Sequence, residues 1–321
     1  MPKNIYIAHL KSYGFLHPGR ERWRQVVKRC WDIIPGATLY GALSHVLIKL
    51  DCSQRDGAAE SNCKSGQCSP CGYQRLLNLI KERKLRFSPL IPSKKGITTA
   101  VEYCRVAKEI KPNFITTPHA PIDRGRKTIY GDLLYGIVGH QPFQDYYGFI
   151  AEDTDNITES FFHQLQRAFR AFPFFSFGGR GKYSTVEGRI VKTITAAEFL
   201  KGMREAILEE KPWVSLLTPM IMNENDNWLL KTNNLETMVI PRPQRYRVWR
   251  TGLYADHGEL KMYGRNLKEN ECQTESVFGF PEGSRFKVNV SDELLGQSFI
   301  EGMGNRDWTY LGWGQVIIDV R

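Results

Sequence analysis

The chain has 321 residues, 41% of them hydrophobic, enough to bury a substantial core and to exclude global disorder. Lys and Arg outnumber Asp and Glu by 44 to 34, and the net charge of +10 favours polyanionic partners through counterion release from phosphate backbones. No apolar leader follows Met1 and no run of about 18 apolar residues occurs, so the expectation is a cytoplasmic chain without membrane contact.

Residues 4–10 alternate polar and apolar positions as a half-buried strand does. The stretch 17–29 is basic, with Arg20, Arg22, Arg24, Lys28 and Arg29 around Trp23. After the turn Ile34-Pro35-Gly36, residues 37–50 place Leu39, Leu43, Val46, Leu47 and Leu50 on one helical face. A polar insertion over 51–72 follows, then a short strand over 86–91. Residues 114–147, rich in turns and aromatics, predict a long basic β-hairpin leading into a strand at 148–151. An amphipathic helix over 159–171 precedes an apolar strand over 172–177.

Beyond Arg189 the order of strand and helix repeats. A strand over 190–195, a helix over 196–210 and a strand over 213–222 come first, with further strands at 246–254, 284–290 and 314–320. The fold class is therefore α+β, as two tandem units with antiparallel sheets at 1–190 and 191–321.

Between the two units lies a glycine-rich stretch, 177–188, which opens Phe177-Gly178-Gly179-Arg180-Gly181-Lys182-Tyr183. Glycines let main-chain N–H groups approach a phosphate without a Cβ in the way. Arg180 and Lys182 can neutralise the phosphate and Tyr183 can stack on a base. The Gly-Lys-Ser/Thr ending of a nucleotide-binding P-loop is absent, and a plain domain connector remains the alternative. Asp123-Arg124-Gly125-Arg126-Lys127 sets three cations at a hairpin tip, with Tyr130 close behind as a stacking partner. A third arginine group, Arg242, Arg245, Arg247 and Arg250, fits equally well as the polar face of a strand.

Four of the seven cysteines fall in the insertion, as Cys52, Cys63, Cys68 and Cys71. Four thiolates suit a tetrahedral structural zinc, and Cys68-x2-Cys71 can chelate from one turn; unliganded thiols are the alternative. Catalytic candidates are few. None of the seven histidines forms an obvious nucleophile or metal motif, and the plain reading of each is an ordinary surface or core histidine.

The order of these pieces resembles the RAMP superfamily of CRISPR-associated proteins. Its type III members are matched by Ile34-Pro-Gly-Ala-Thr-Leu-Tyr-Gly-Ala-Leu43 at the first helix and by Ile122-Asp-Arg-Gly-Arg-Lys-Thr-Ile-Tyr130 in the hairpin. They are matched too by Cys68-Ser-Pro-Cys71 before Arg86-Phe-Ser88 and Ile91-Pro-Ser93. Leu134-Tyr135 and Phe143 belong to the hairpin match, while Gly302-Met-Gly304 and Leu311-Gly-Trp-Gly314 extend the likeness loosely into the C-terminal half. The resemblance implies two ferredoxin-like (RRM-like) domains and contact of the hairpin with guide RNA. It is similar above all to the subunit that caps the guide's 5′ handle. It also implies other RAMP backbone subunits, a large signalling or nuclease subunit and, indirectly, target RNA as partners. The same superfamily contains repeat-processing endoribonucleases, where His9 or His17 falls at the place of the base, and backbone subunits that cut target RNA at an aspartate such as Asp123. The departure at Tyr183-Ser-Thr, where another Arg-Gly pair is expected, concerns the subgroup.

Overall fold

The computed structural model describes residues 2–23, 27–51, 71–119, 122–123, 128–129, 135–154, 160–177, 185–207, 211–221, 235–239, 244–249, 252–256, 276–304 and 309–321. The first strand, β1 (Asn4–Ser12), leads to a hairpin, β2 (Gly19–Trp23) and β3 (Val27–Cys30), and to helix α1 (Gly36–Asp51). After the insertion come α2 (Gly72–Lys81), β4 (Leu85–Phe87), β5 (Ile91–Pro92) and α3 (Ala100–Lys108). The hairpin region carries β6 (Phe114–His119), β7 (Ile122–Asp123), β8 (Thr128–Ile129) and β9 (Tyr135–His140). Then follow β10 (Asp145–Glu152), α4 (Phe162–Ala171), β11 (Phe174–Ser176) and β12 (Thr185–Thr195).

The main sheet has the order β11-β12-β1-β10, with β4 and β5 both pairing antiparallel to β10. With α1 after β1 and α4 after β10, this is the β-α-β-β-α-β ferredoxin-like arrangement, its fourth strand beside its first. The second strand is split into β4 and β5 around Ser88, whose Oγ accepts the Phe149 N–H at 2.7 Å and keeps that donor satisfied across the break.

Contrary to the half-buried strand expected, β1 is buried on both faces. On one face Tyr6, Ala8 and Leu10 pack with Leu39, Leu43 and Leu47 of α1, Leu76 of α2 and Leu165 of α4. On the other, Ile5 and Ile7 meet residues of the C-terminal half. Phe149 lies 5.0 Å from Phe199 and 5.7 Å from Phe299, and Tyr103 closes the group from α3. Such aromatic contacts add to the area they bury.

The C-terminal half contains α5 (Ala196–Leu200), α6 (Met203–Ala206), β13 (Trp213–Leu216), β14 (Met220–Ile221) and β15 (Leu235–Val239). It continues with β16 (Gln244–Trp249), β17 (Gly252–Asp256), β18 (Ser276–Phe280), β19 (Arg285–Val288), α7 (Asp292–Glu301) and β20 (Val316–Ile318). The sheet β15-β19-β13-β20 repeats the strand order of the first, with α7 between its third and fourth strands; the described part of its first crossover carries β14 and no helix. A separate sheet has the order β14-β18-β16-β17.

Three expectations change. The strand at 190–195 opens no second unit: it is the far half of β12, paired with β1 as far as Asn4↔Thr195. The helix at 196–210 is two short helices, interrupted where Gly202 takes φ +81. Residues 246–254 turn back on themselves as β16 and β17, with Trp249↔Gly252 closing the hairpin. Among the described residues no helix is long and apolar enough to cross a membrane.

Candidate nucleic-acid interface

One end of the main sheet collects the elements that the sequence marks. There β1 finishes, β10 and β12 begin, and β5 departs. Main-chain bonds tie these ends together: Tyr13 N–H to the Thr185 carbonyl at 2.8 Å, Phe143 N–H to Ser12 at 2.8 Å, and Ser93 N–H to Asp145 at 2.9 Å. The glycine-rich loop is the turn of the β11–β12 hairpin, on this end. Gly178, Gly179, Arg180, Gly181, Lys182 and Tyr183 lie outside the described residues, but both of the loop's feet are fixed. Phe177 is buried with the helices' apolar side chains, and Thr185 is held by Tyr13. Gly188, the last glycine of the stretch, is not in the loop. It faces α4 from within β12, where a Cβ would stand 2.5 Å from Phe169 Cε1 and 2.8 Å from Phe175 Cε1. Its lack of a side chain serves packing.

The basic hairpin stands on the same end. Strands β6 and β9 pair from Phe114↔His140 to His119↔Tyr135, and β7–β8 continue outward with Asp123↔Thr128. Arg124, Arg126, Lys127 and Tyr130 fall outside the described residues. The β2–β3 hairpin joins this layer through a parallel pairing of β3 with β9, giving the order β2-β3-β9-β6. Arg20 and Arg22 are therefore residues of β2, and Arg24 lies outside the described residues. The third arginine group enters β16 at Arg245 and Arg247, and β17 of the same sheet touches β2. This layer is riveted to the main sheet by a bridge between Leu16 and His140. The buried His140 Nε2 lies 2.7 Å from the Trp31 carbonyl and its Nδ1 3.0 Å from the Tyr146 hydroxyl. Burial holds the His140 pKa below the ordinary imidazole value, against the pull of the Trp31 carbonyl.

Between the glycine loop and the hairpin layer the main sheet shows an aromatic and cationic surface that the sequence reading passed over. Phe174, Glu187, Lys11 and Asp145 are cross-strand partners in one row over β11, β12, β1 and β10, and so share a face. Phe174 is 56% exposed and Phe143 is 69% exposed. Tyr13 stands between them, 5.6 Å from the Phe174 ring and 6.2 Å from the Phe143 ring, with Lys11 Nζ 5.6 Å from its own ring centre. Lys94 and Lys95 are exposed just past β5 on the same end. The signal for these residues was an aromatic or lysine directly beyond a strand end, which period-based reading treats as a plain turn.

In the next row His9 is buried, with Tyr147 4.7 Å away by ring centres. Arg189 Nε donates to His9 Nδ1 at 3.1 Å, so that nitrogen carries the lone pair and Nε2 holds the proton. His9 Nε2 then donates to Asp145 Oδ1 at 2.8 Å. Both nitrogens are engaged in ordering the sheet, and acting as a base would require release of Arg189. His17 sits in the connection to β2, its Nδ1 2.6 Å from the Val138 carbonyl. Asp123 is in β7, paired with Thr128 of β8.

Of the insertion cysteines only Cys71 is described; Cys52, Cys63 and Cys68 lie outside the described residues. Cys71 caps α2, its Sγ accepting from Gln74 N–H at 3.5 Å. The insertion's two ends are pinned together, because Asp51 Oδ2 accepts the Gly72 N–H at 3.1 Å while its Oδ1 meets Arg167 at 2.8 Å. The described ends of the insertion, Asp51 and Gly72, thus meet. Among the described residues no group of three or more possible ligands gathers.

No family model matches the chain, and no curated protein matches it. Solved structures do. The likeness is to RAMP and CRISPR-complex proteins. A chain of the type III-B Cmr-beta complex bound to cognate target RNA and AMPPnP is 13% identical, covering 96% of this chain and 94% of that one at a TM-score of 0.42. An RAMP protein binding different RNA substrates is 12% identical, covering 98% and 99% at a TM-score of 0.38. The product of a Cas6-related gene from Pyrococcus furiosus is 10% identical, covering 98% and 98% at 0.40. Likenesses this distant leave the case for function to the residues of this chain.

Proposed function

We propose that this chain is an RNA-binding protein of the RAMP superfamily that caps the 5′ handle of a CRISPR guide RNA in a type III effector complex. The supporting observation is the convergence, at one end of a ferredoxin-like sheet, of the feet of the glycine loop and the bases of two cation-rich hairpins. Phosphates suit the loop's main-chain N–H groups and the cations Arg180, Lys182, Arg124, Arg126 and Lys127, which together can follow a single strand. Holding is favoured over cutting, because His9 spends both ring nitrogens within the protein. The same reading takes neighbouring RAMP backbone subunits and a large signalling or nuclease subunit as partners, with target RNA reached through the guide. It takes the four insertion cysteines as a structural zinc site, closed to substrate because four thiolates fill a tetrahedron.

RNA that co-purifies with the chain should be of uniform length with a defined 5′ end; heterogeneous fragments would refute capping. Replacing Arg180 and Lys182 together by Ala should flatten the dependence of log K on log salt by about 1.4, at roughly 0.7 per single-strand phosphate contact. An unchanged slope would remove the loop from the phosphate path. Metal analysis should find about one zinc per chain, lost in a Cys68→Ser, Cys71→Ser variant. Well-folded, zinc-free protein would contradict the site.

A further inference from the structure

We propose that Tyr13, Phe143 and Phe174 form a stacking platform for unpaired RNA bases, distinct from the phosphate grip of the glycine loop. The inference rests on the RNA reading above and supplies what that reading lacks, a place for bases.

Three observations carry it. First, the platform occupies a stretch of sheet that the described residues of the C-terminal half leave open. Ile5 and Ile7 of β1 are covered on this face, whereas the row of Lys11 and Phe174 lies beyond the cover. Large aromatics left 56% and 69% exposed side by side gain nothing from burial, and they offer ring faces to a ligand. The rings meet Tyr13 at 65° and 84°, edge to face rather than stacked, so neither Phe ring is covered by parallel stacking on Tyr13.

Second, Phe143 has φ +62, in the left-handed region where a bulky residue is strained and where Gly or Asn would sit at ease. Its N–H bond to Ser12 fixes that conformation and holds the ring outward. Strain kept for an exposed ring points to use of the ring.

Third, the charges around the platform suit a nucleotide. Lys11, Arg189, Lys94 and Lys95 surround it. The two nearby carboxylates are occupied: Glu187 accepts the Tyr13 hydroxyl at 2.6 Å, and Asp145 accepts from His9. Cations beside exposed aromatic rings are what a single strand requires, one for phosphate and one for base. The row of Glu187, Lys11 and Asp145 is polar, which favours a nucleotide over an apolar protein surface.

The test uses two probes of equal charge: a ten-nucleotide oligoadenylate and an abasic oligonucleotide of the same length. The wild-type chain should bind the oligoadenylate more tightly. Phe143→Ala with Phe174→Ala should weaken oligoadenylate binding by about fivefold or more for each stacked base, and leave the abasic probe and the salt slope unaltered. Phe143→Tyr with Phe174→Tyr should restore the preference, which separates stacking from any fold defect. If both probes bind with the expected salt dependence but the alanine variant still prefers bases as the wild type does, the platform is refuted while the RNA reading stands. If neither probe binds, the RNA reading itself fails. Loss of self-association or subunit binding in the alanine variant, with oligoadenylate affinity intact, would assign the patch to a protein contact and also overturn the proposal.

Discussion

Gly188→Ala separates the packing glycine from those of the loop, and its effect can be worked from the geometry. The new Cβ would lie 2.5 and 2.8 Å from two atoms of the Phe169 ring and 2.8 Å from Phe175, all closer than real Cβ contacts allow. Both rings are buried between α4 and the sheet, so relief requires moving α4 or β11. Overpacking of this kind costs about 1–3 kcal/mol, while Ala for Gly in a strand returns about 0.5–1 kcal/mol. The net expectation is a loss of about 1–2 kcal/mol in urea unfolding, with the salt slope of RNA binding unchanged. Adding Phe169→Ala tests the cause, because the clash vanishes with the ring and the two losses should fall short of additive by about 1 kcal/mol or more. A Gly188→Ala protein as stable as wild type, or a strictly additive pair, would refute the packing account. A flattened salt slope would return Gly188 to the phosphate site.

At the opposite end of the sheet, Glu152 is fully buried and accepts from Tyr6 Oη, from Ser160 Oγ at 3.0 Å and from Phe161 N–H at 2.7 Å. Glu152→Ala orphans the Phe161 N–H and one of the Tyr6 and Ser160 hydroxyls, which otherwise bond each other at 2.8 Å, and should cost about 2–5 kcal/mol by denaturation, with RNA affinity of the remaining folded protein unaltered. Tyr6, Tyr103 and Tyr146 have pKa values raised well above the ordinary tyrosine value, each mainly by burial. Their stabilising effect is complete below the ordinary tyrosine value near 10 and is lost as pH rises above it, by about 1.4 kcal/mol per pH unit for each. Unfolding followed from pH 9 to 11 by denaturant midpoint and tyrosinate absorbance checks this; a flat profile would refute it. His140 is shifted the other way, downward by burial, so its contribution is present above the ordinary imidazole value near 6.5 and declines as pH falls through its own lower value. Stability should drop between pH 6.5 and 5 in the wild type and less so in His140→Gln; equal profiles would remove His140 as the cause.

Much of the first unit is legible in the sequence because its signals are local. The apolar face of α1, a strand just before the glycine stretch and a hairpin that starts at Phe114 emerge where periodicity and turn chemistry place them, although the hairpin ends at His140 and Asp145–Tyr147 open β10. Helices α2 and α3 escaped notice, although Thr99 with Glu102 makes a full capping box before α3. The burial of β1 on both faces could not be read from alternation, since Tyr6 and His9 look polar until Glu152, Asp145 and Arg189 are brought to them across the sheet.

The sequence by itself determined the charge, the secondary elements of strong period and the residue types suited to phosphate and zinc. Those are properties of composition and of neighbours within about ten residues along the chain. Tertiary structure alone decided which of these features meet. Antiparallel pairing of β1 with β10 and β12 brings Tyr13, Phe143 and Thr185 together from three distant segments, and it takes Gly188 out of the loop and into the core. Register between strands far apart in sequence is fixed by burial on both faces of the sheet, a sum over many residues that no local window contains.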